Sequence, residues 1–276
     1  MAEVFRVGIA LPLVGGAILS FFIERLLQPK PEFVGRPLAA FAIHFGLWTL
    51  AFCFHLAWCQ RPYFAAVLAL ATLLLVVVVS NAKMRSCREP FVFQDYEYFT
   101  DALKHPRLYL PFFGIGRALL GFALFVLALY WGFTLEPGLV SETGLSGFGK
   151  GILILIAFGV LLLFAGTFRP LPLAFNPERD LRNLGLLASL WSYGLAERTK
   201  LALPYASQVF ASSATRADGG FPHIVVVQSE SFFDARRLYP GIHPAVLGQF
   251  DEIRKTAVQF GRLEVPAWGA NTVRTE

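Results

Sequence analysis

Two polar motifs in the last quarter of this 276-residue chain contain residue types that could do chemistry. Glu230 follows a β-branched run in the segment IVVVQSESF, which predicts a strand buried on both faces of a parallel sheet. Ligands of open α/β sheets bind at the carboxyl ends of strands, so Glu230 stands where a ligand-binding or catalytic acid is expected. An incidental glutamate on a solvated turn is the alternative interpretation.

Thr272 lies in the second motif, GANTVRTE. Gly269 and Asn271 favour a tight turn that presents Thr272 at the start of a following helix. A helix N-terminus favours anions and makes a hydroxyl easier to ionise, which would suit a nucleophile. A lone threonine on a turn is more commonly a helix cap, so this motif alone does not decide its role.

The elements that must position these residues are dominated by apolar sequence. The chain is 55% apolar and 16% charged, with a mean hydropathy of +0.56. A soluble domain has roughly a quarter of its residues charged, so this composition excludes a purely soluble enzyme and a disordered chain. Its three cysteines do not make a disulfide scaffold. We therefore predict an integral membrane protein.

Apolar stretches long enough to cross roughly 30 Å of hydrocarbon predict a bundle of five transmembrane helices. The predicted spans are Val4–Ile23, Pro37–Trp58, Pro62–Ser80, Leu108–Phe133 and Gly149–Phe168. His44 and His55 lie on one face of the second span, where hydrogen bonds between helices are favoured over a metal site.

Charge patterning predicts one orientation for these spans. With a cytoplasmic N-terminus, three basic residues lie inside and eleven outside, which the positive-inside rule disfavours. The inside group is Arg6, Arg61 and Lys150; the outside group is Arg25, Lys30, Arg36, Lys83, Arg85, Arg88, Lys104, Arg107, Arg169, Arg179 and Arg182. Charge alone therefore places the C-terminal part in the cytoplasm.

Basic residues near the third and fourth spans are candidates for binding an anionic lipid. Lys83, Arg85 and Arg88 begin a polar segment of about 27 residues, which is either a headgroup-level binding segment or a solvated loop. Arg117 lies within the fourth span and is either a phosphate partner or a side chain that extends to the interface.

A linker at residues 169–220 separates the spans from the two polar motifs. Asn176 and Pro177 form a helix start, and apolar residues then recur at helical spacing. We predict that Pro177–Thr199 is an amphipathic helix at the membrane interface; the alternative is an ordinary helix packed on a soluble domain.

Taken together, the five spans, the segment NAKMRSCREPFVFQD, the linker and the motifs IVVVQSESF and GANTVRTE resemble the lipoteichoic acid synthase-like family. This family comprises membrane members of the sulfatase/alkaline phosphatase superfamily and includes phosphoglycerol transferases. The resemblance implies a transmembrane domain at 1–168, the linker, and the N-terminal part of an α/β sulfatase-like catalytic domain at 221–276. It also implies that Glu230 is a metal ligand and that Thr272 is the nucleophile and a second ligand, with Glu276 four residues further on.

The chemistry implied by the resemblance is the transfer of a phosphoglycerol-type group. The implied donor is an anionic phospholipid resembling phosphatidylglycerol, and the acceptor is a glycan or a polyol phosphate. The implied cofactor is a divalent metal, Mn²⁺ or alternatively Mg²⁺. The family places the catalytic part outside the bacterial cytoplasmic (inner) membrane, against the charge count, and no nucleic acid is expected as a partner.

Other functions fit the same sequence. One is a phosphoethanolamine transferase, which shares the membrane layout; another is a non-catalytic, truncated membrane protein. The family completes its site with a downstream Asp-His pair, which is not found after Thr272. We therefore expect this chain to be the N-terminal part of a longer protein and to be inactive alone.

Overall fold

The computed structural model describes residues 2–96, 104, 105, 107, 115–168, 171–198, 225, 227, 234–237, 239–258 and 260, with backbone alone at 2–7, 115, 117 and 118. The chain divides into two compact units. The first comprises Met1–Leu201 and Ala267–Glu276, and the second comprises Ala202–Pro266.

Long helices build the described part of the first unit. They are α1 (Ala2–Glu24), α2 (Leu38–Cys59), α3 (Pro62–Cys87), α4 (Ile115–Leu135) and α5 (Leu139–Thr167). Two shorter helices follow them, α6 (Pro177–Leu184) and α7 (Leu186–Arg198). The described part of the second unit contains the 3₁₀ turns Ala235–Arg237 and Pro244–Leu247 and the helix α8 (Gly248–Thr256).

Three of the described helices, α2, α3 and α5, are long and apolar enough to cross a membrane. The predicted membrane character is therefore confirmed for these three. Helices α1 and α4 have shorter apolar segments among their described side chains, Gly8–Glu24 and Leu119–Leu135. The fifth predicted span begins ten residues earlier than expected, at Leu139, and its first turns are separated from the rest by a kink at Gly144 (φ 70°).

Local chemistry explains where the central helices begin and end. Pro62 is the first residue of α3, where its missing N–H leaves no hydrogen bond unmade. Gln60 and Arg88 end α2 and α3 in the left-handed conformation, with φ of 59° and 58°. Their N–H groups return to the carbonyls of Leu56 and Met84, which satisfies two otherwise unpaired acceptors.

Helix α2 lies at the centre of the bundle and packs most closely on α5. A Cβ atom added at Gly46 would come within 2.9 Å of the Gly159 carbonyl oxygen, so the two backbones approach as closely as glycine allows. Helix α4 is less closely packed than α5. Its described contacts with α2 and α3 involve Gly132 and Phe133, near its C-terminus. Its side chains from Leu119 to Val126 are largely exposed, which suits a lipid environment.

The predicted linker helix Pro177–Thr199 is wrong as one element, because it consists of α6 and α7. Its start is confirmed: the Asn176 side chain accepts a hydrogen bond from the Arg179 N–H, and Pro177 is the first helical residue. Gly185 breaks the helix with φ 79° and ψ 170°, a conformation that side-chain-bearing residues rarely adopt. The predicted position at a membrane interface stays a prediction.

No β-strand occurs among the described residues. Val225 and Val227, from the predicted buried strand, are 83% and 84% exposed and belong to neither a helix nor a strand. A strand is buried only when hydrogen-bonded neighbours and covering helices are present, and the described residues supply no such neighbours. The predicted sulfatase-like sheet therefore stays a prediction.

Candidate functional site at the linker end of the helices

The helical unit has two ends with different chemistry. We call the end that carries Glu24, Leu38, Cys87 and Thr167 the linker end, because α6 and α7 follow there. At the opposite, short-loop end, the Arg61 guanidinium donates to the Glu136 carbonyl, and the Glu136 carboxylate accepts the Tyr63 and Phe64 N–H groups. This arrangement caps the start of α3 and ties it to the end of α4.

The predicted site residues are only partly within the described structure. Glu230 and Thr272 lie outside the described residues, so their predicted roles stay predictions. Arg117 lies in the first turn of α4, and its side chain is likewise outside the described part. Lys83 and Arg85 lie near the C-terminus of α3, and Arg88 is its cap, so these three are together at the linker end.

Lys83 is bound by neighbouring groups of its own chain. Its ammonium lies 2.8 Å from Glu89 Oε2 and 2.7 Å from Asp95 Oδ2, and it also donates to the Pro90 carbonyl. Burial raises the pKa of the Asp95 carboxyl, while Lys83 and the Val92 N–H, which donates to the same oxygen, oppose that rise. Lys83 therefore holds the turn after α3 in place.

The side chains of Arg85 and Arg88 are exposed and make no hydrogen bond or ion pair with the described residues. Guanidinium groups bind phosphate oxygens through paired N–H donors. Of the three basic residues predicted to bind a headgroup, Arg85 and Arg88 are therefore the two with free donors. Sequence alone did not separate them from Lys83.

A second ionic cluster at the linker end is fully buried. Arg36 donates to Glu24 Oε2 at 2.9 Å, and His44 Nδ1 lies 3.3 Å from Glu24 Oε1. The side chains of Glu24, Arg36 and His44 are at most 2% exposed. The Arg36 guanidinium also lies over the Phe21 and Phe41 rings, at 5.4 and 5.1 Å from their centroids.

Ser20, His44 and Glu24 are arranged in the same order as the residues of a nucleophilic triad. The Ser20 Oγ lies 2.8 Å from His44 Nε2, and the other imidazole nitrogen faces Glu24. Ser20 is completely buried, however, and its hydroxyl donates to the Ala17 carbonyl. Because that bond uses the hydroxyl proton, His44 must donate from Nε2 rather than accept, so this geometry does not activate a nucleophile.

The buried cluster instead fixes the linker to the membrane helices. Glu24 Oε1 accepts the Leu186 N–H at 2.9 Å, so a carboxylate from α1 caps the N-terminus of α7. A Cβ atom at Gly185 would overlap the Arg36 guanidinium, which occupies the space that glycine leaves free. The sequence signal that could have revealed this cluster is Glu24 at the end of an apolar span, twelve residues before Arg36.

A further buried carboxylate joins α6 to α7. Asp180 accepts hydrogen bonds from the Tyr193 hydroxyl and from the Ala174 N–H, both at 2.9 Å. Burial, together with the Asp180 charge, raises the pKa of the Tyr193 hydroxyl, so Tyr193 remains a neutral donor. The two linker helices are thus held in one arrangement relative to each other.

No group of three or more His, Cys, Asp or Glu side chains in the described part of the chain is arranged to hold a metal ion. The predicted ligands, Glu230 and Thr272, lie outside this part. Carboxylate and hydroxyl oxygens are hard donors, which suit Mn²⁺ or Mg²⁺. The chemistry of the donor set therefore fits the predicted metal, which stays a prediction.

The chain is similar to a capsular polysaccharide biosynthesis protein, RkpI, of Rhizobium meliloti (strain 1021), with 29% identity over 243 residues. The similarity covers 81% of this chain and 43% of the relative, so the chain spans less than half the relative's length. A single stretch covering that share of the chain necessarily contains α3 to α7. No family model matches the chain, and no solved structure matches it.

Proposed function

We propose that this chain carries the membrane helices and part of the catalytic site of a transferase. The enzyme moves a phosphoglycerol-type group from an anionic phospholipid to a glycan or polyol-phosphate acceptor. The observation that carries the proposal is the similarity to a protein of capsular polysaccharide biosynthesis across the helical part of the chain. Together with three helices able to cross a membrane, it supports a membrane-associated role in the biosynthesis of polysaccharides or lipid-linked compounds.

The proposed reaction has two steps at phosphorus. Thr272 Oγ loses its proton and bonds to the phosphorus of the phospholipid, and diacylglycerol leaves with a proton. A hydroxyl of the acceptor then attacks the same phosphorus, and Thr272 leaves and regains its proton. A divalent cation bound through Glu230 and Thr272 supplies the positive charge that makes the threonine hydroxyl easier to ionise.

Loss of the two proposed catalytic groups tests this reaction. In the protein that contains this chain, with Mn²⁺ present, we would measure diacylglycerol release from labelled phosphatidylglycerol. We expect Thr272→Ala and Glu230→Ala each to lower the rate by on the order of 10³-fold or more. Thr275→Ala is the matched control and should retain the wild-type rate; equal rates for all variants would contradict the proposal.

We further propose that Arg85 and Arg88 bind the donor headgroup. Both side chains are exposed at the linker end, and α6 and α7, which follow at that end, precede the proposed catalytic residues along the chain. The double variant Arg85→Ala/Arg88→Ala should raise the donor KM about 5- to 150-fold, as expected for a total loss of about 1–3 kcal/mol of charge-assisted hydrogen bonding. An unchanged donor KM would show that these two residues do not bind the donor headgroup.

The proposed orientation is five spans in a bacterial cytoplasmic membrane, with the linker end outside. Cys87 is exposed at that end, whereas Cys53 and Cys59 are buried. A membrane-impermeant maleimide added to intact spheroplasts should therefore label Cys87. Cys87→Ser is the control for background labelling. Labelling of Cys87 only after the cells are lysed would place the linker end in the cytoplasm, as the charge count predicts.

A further inference from the structure

An apolar groove of about 440 Å³ lies between α2, α3 and α4. Its walls are formed by Phe54, His55 and Trp58 of α2, by Leu68, Ala71, Thr72 and Leu75 of α3, and by Phe125 of α4. The groove exists because α4 contacts the other two helices near Phe133 and its earlier side chains remain exposed. This volume lies within the range of small-molecule sites in proteins.

The walls of the groove offer almost no unpaired polar group. His55 and Thr72 bond to each other, with His55 Nε2 lying 3.3 Å from Thr72 Oγ1. Thr72 donates its hydroxyl proton to the Leu68 carbonyl, so His55 is the donor in the first of these bonds. What remains of the lining is aliphatic and aromatic carbon, which favours a hydrocarbon over a polar ligand.

The depth of the groove matches that of lipid acyl chains. Two of its three helices, α2 and α3, are able to cross a membrane, so the groove opens toward hydrocarbon. Along α3, Leu68 and Leu75 lie about 9 and 20 Å from Pro62 at the short-loop end, at 1.5 Å per residue. With a hydrocarbon core of roughly 30 Å, the groove occupies the leaflet on the short-loop side and the middle of the bilayer.

A helix of a second protein copy is the alternative occupant of this groove, and such a helix is about 10–12 Å wide with its side chains. A hydrocarbon chain is thinner and enters from the surrounding bilayer without leaving hydrogen-bonding groups unpaired.

We infer that this groove holds one acyl chain of a membrane glycerophospholipid from the leaflet at the short-loop end. The bound chain fills the space between α4 and the bundle and so stabilises the position of α4. Because the groove opens near the short-loop end while the linker lies at the other, this lipid is distinct from the proposed donor. The inference therefore stands independently of the proposed transfer reaction.

Photo-crosslinking tests the inference on the whole chain in nanodiscs. The probes are phosphatidylglycerol and phosphatidylethanolamine, each with a diazirine midway along one acyl chain, and adducts are located by mass spectrometry. We expect adducts at Phe54, Leu75 and Phe125 to exceed those at Leu153, Leu161 and Phe164, on the open face of α5, about tenfold. That ratio corresponds to a preference of about 1.4 kcal/mol.

Two alanine variants provide the matched comparison. Ala71 lines the groove, whereas Ala157 is an exposed alanine of α5 outside it. Ala71→Phe should lower groove adducts to the level of the open face, and Ala157→Phe should leave them unchanged. If Ala71→Phe does not fold, the wild-type adduct pattern alone decides.

Three results would overturn the inference. Equal adducts in the groove and on α5 would indicate ordinary surrounding lipid. An absence of adducts in the groove would indicate that a second protein copy, rather than an acyl chain, occupies it. Labelling by only one of the two phospholipids would indicate a headgroup site rather than an acyl-chain site.

Discussion

The two ionic clusters at the linker end bury their charges to different degrees. Glu24 and Arg36 are sealed among helices, with side chains at most 2% exposed. Lys83 and its partner Glu89 retain 13% and 21% exposure, and Lys83 lies beside the exposed Arg85 and Arg88. The enclosed cluster has no access for a ligand and joins the linker to the bundle. The partly open cluster shapes the surface at which we propose that an anionic headgroup binds.

Removing the carboxylate of the enclosed cluster should have the largest effect. Glu24→Ala leaves the Arg36 charge unpaired in the interior and the Leu186 N–H without its acceptor. We expect a loss of about 3–5 kcal/mol in the free energy of unfolding, measured by thermal or denaturant unfolding in lipid nanodiscs. Glu178→Ala, which breaks an exposed pair with Arg182, is the control and should cost at most about 1 kcal/mol. Equal losses in the free energy of unfolding would mean that the enclosed pair stabilises the fold no more than the exposed pair does.

Gly185→Ala tests the same cluster from its other side. The positive φ of Gly185 disfavours any side chain, and its Cβ would displace the Arg36 guanidinium. We expect a loss of about 1–3 kcal/mol from backbone strain alone, measured in the same way. Gly149→Ala is the control, because its Cβ would meet no atom within 4 Å. That helical position should gain stability by up to about 1 kcal/mol.

The helices were predictable from sequence because the membrane imposes a strong constraint on length and hydropathy. The starts of the second and third spans agree with the structure to within one residue, and His44 and His55 form the predicted hydrogen bonds between helices. The early start of α5 at Leu139 was missed because Glu142 and Lys150 make Gly149 look like the edge of the apolar run.

Tertiary pairing was harder to predict than helix position. Sequence patterning places Arg36 among exposed loop charges and Glu24 among the bulky residues that end the first span. Glu24 accepts the N–H of Leu186, 162 residues away, and no local pattern reveals this pairing. In the sequence, Gly185 is compatible with a periodic helix. An isolated glycine does not by itself indicate that its backbone adopts a positive φ, as Gly185 does in the structure.

Lys83→Met should have an intermediate effect that depends on pH. It removes the cation that faces Glu89 and the largely buried Asp95, and we expect a loss of about 1–3 kcal/mol at neutral pH. Since the pKa of Asp95 already lies above 3.8, the folded state binds its proton more tightly than the unfolded state. The contribution of Asp95 to stability therefore falls as pH rises through that pKa.

Without Lys83, the pKa of Asp95 should rise further, so the loss should shrink as the pH is lowered toward 3.8. Unfolding measured across a pH series checks this sign. Arg85→Met is the control, because Arg85 is exposed and has no described partner. A loss from Lys83→Met that is independent of pH would mean that Asp95 is not the carboxylate left unpaired.

The second unit supplies the exposed counterpart of these clusters and the smallest expected effect. Arg236 donates to Asp234 and Asp251, and it holds the pKa of both carboxyls below 3.8. Their contribution to stability is therefore present above pH 3.8 and is lost as pH falls through the lowered pKa values, opposite in sign to Asp95. Arg236→Gln should move both pKa values back toward 3.8, as followed by NMR of the carboxyl carbons. Lys255→Gln, which removes an exposed partner of Glu252, is the control and should leave the pKa of Asp234 unchanged.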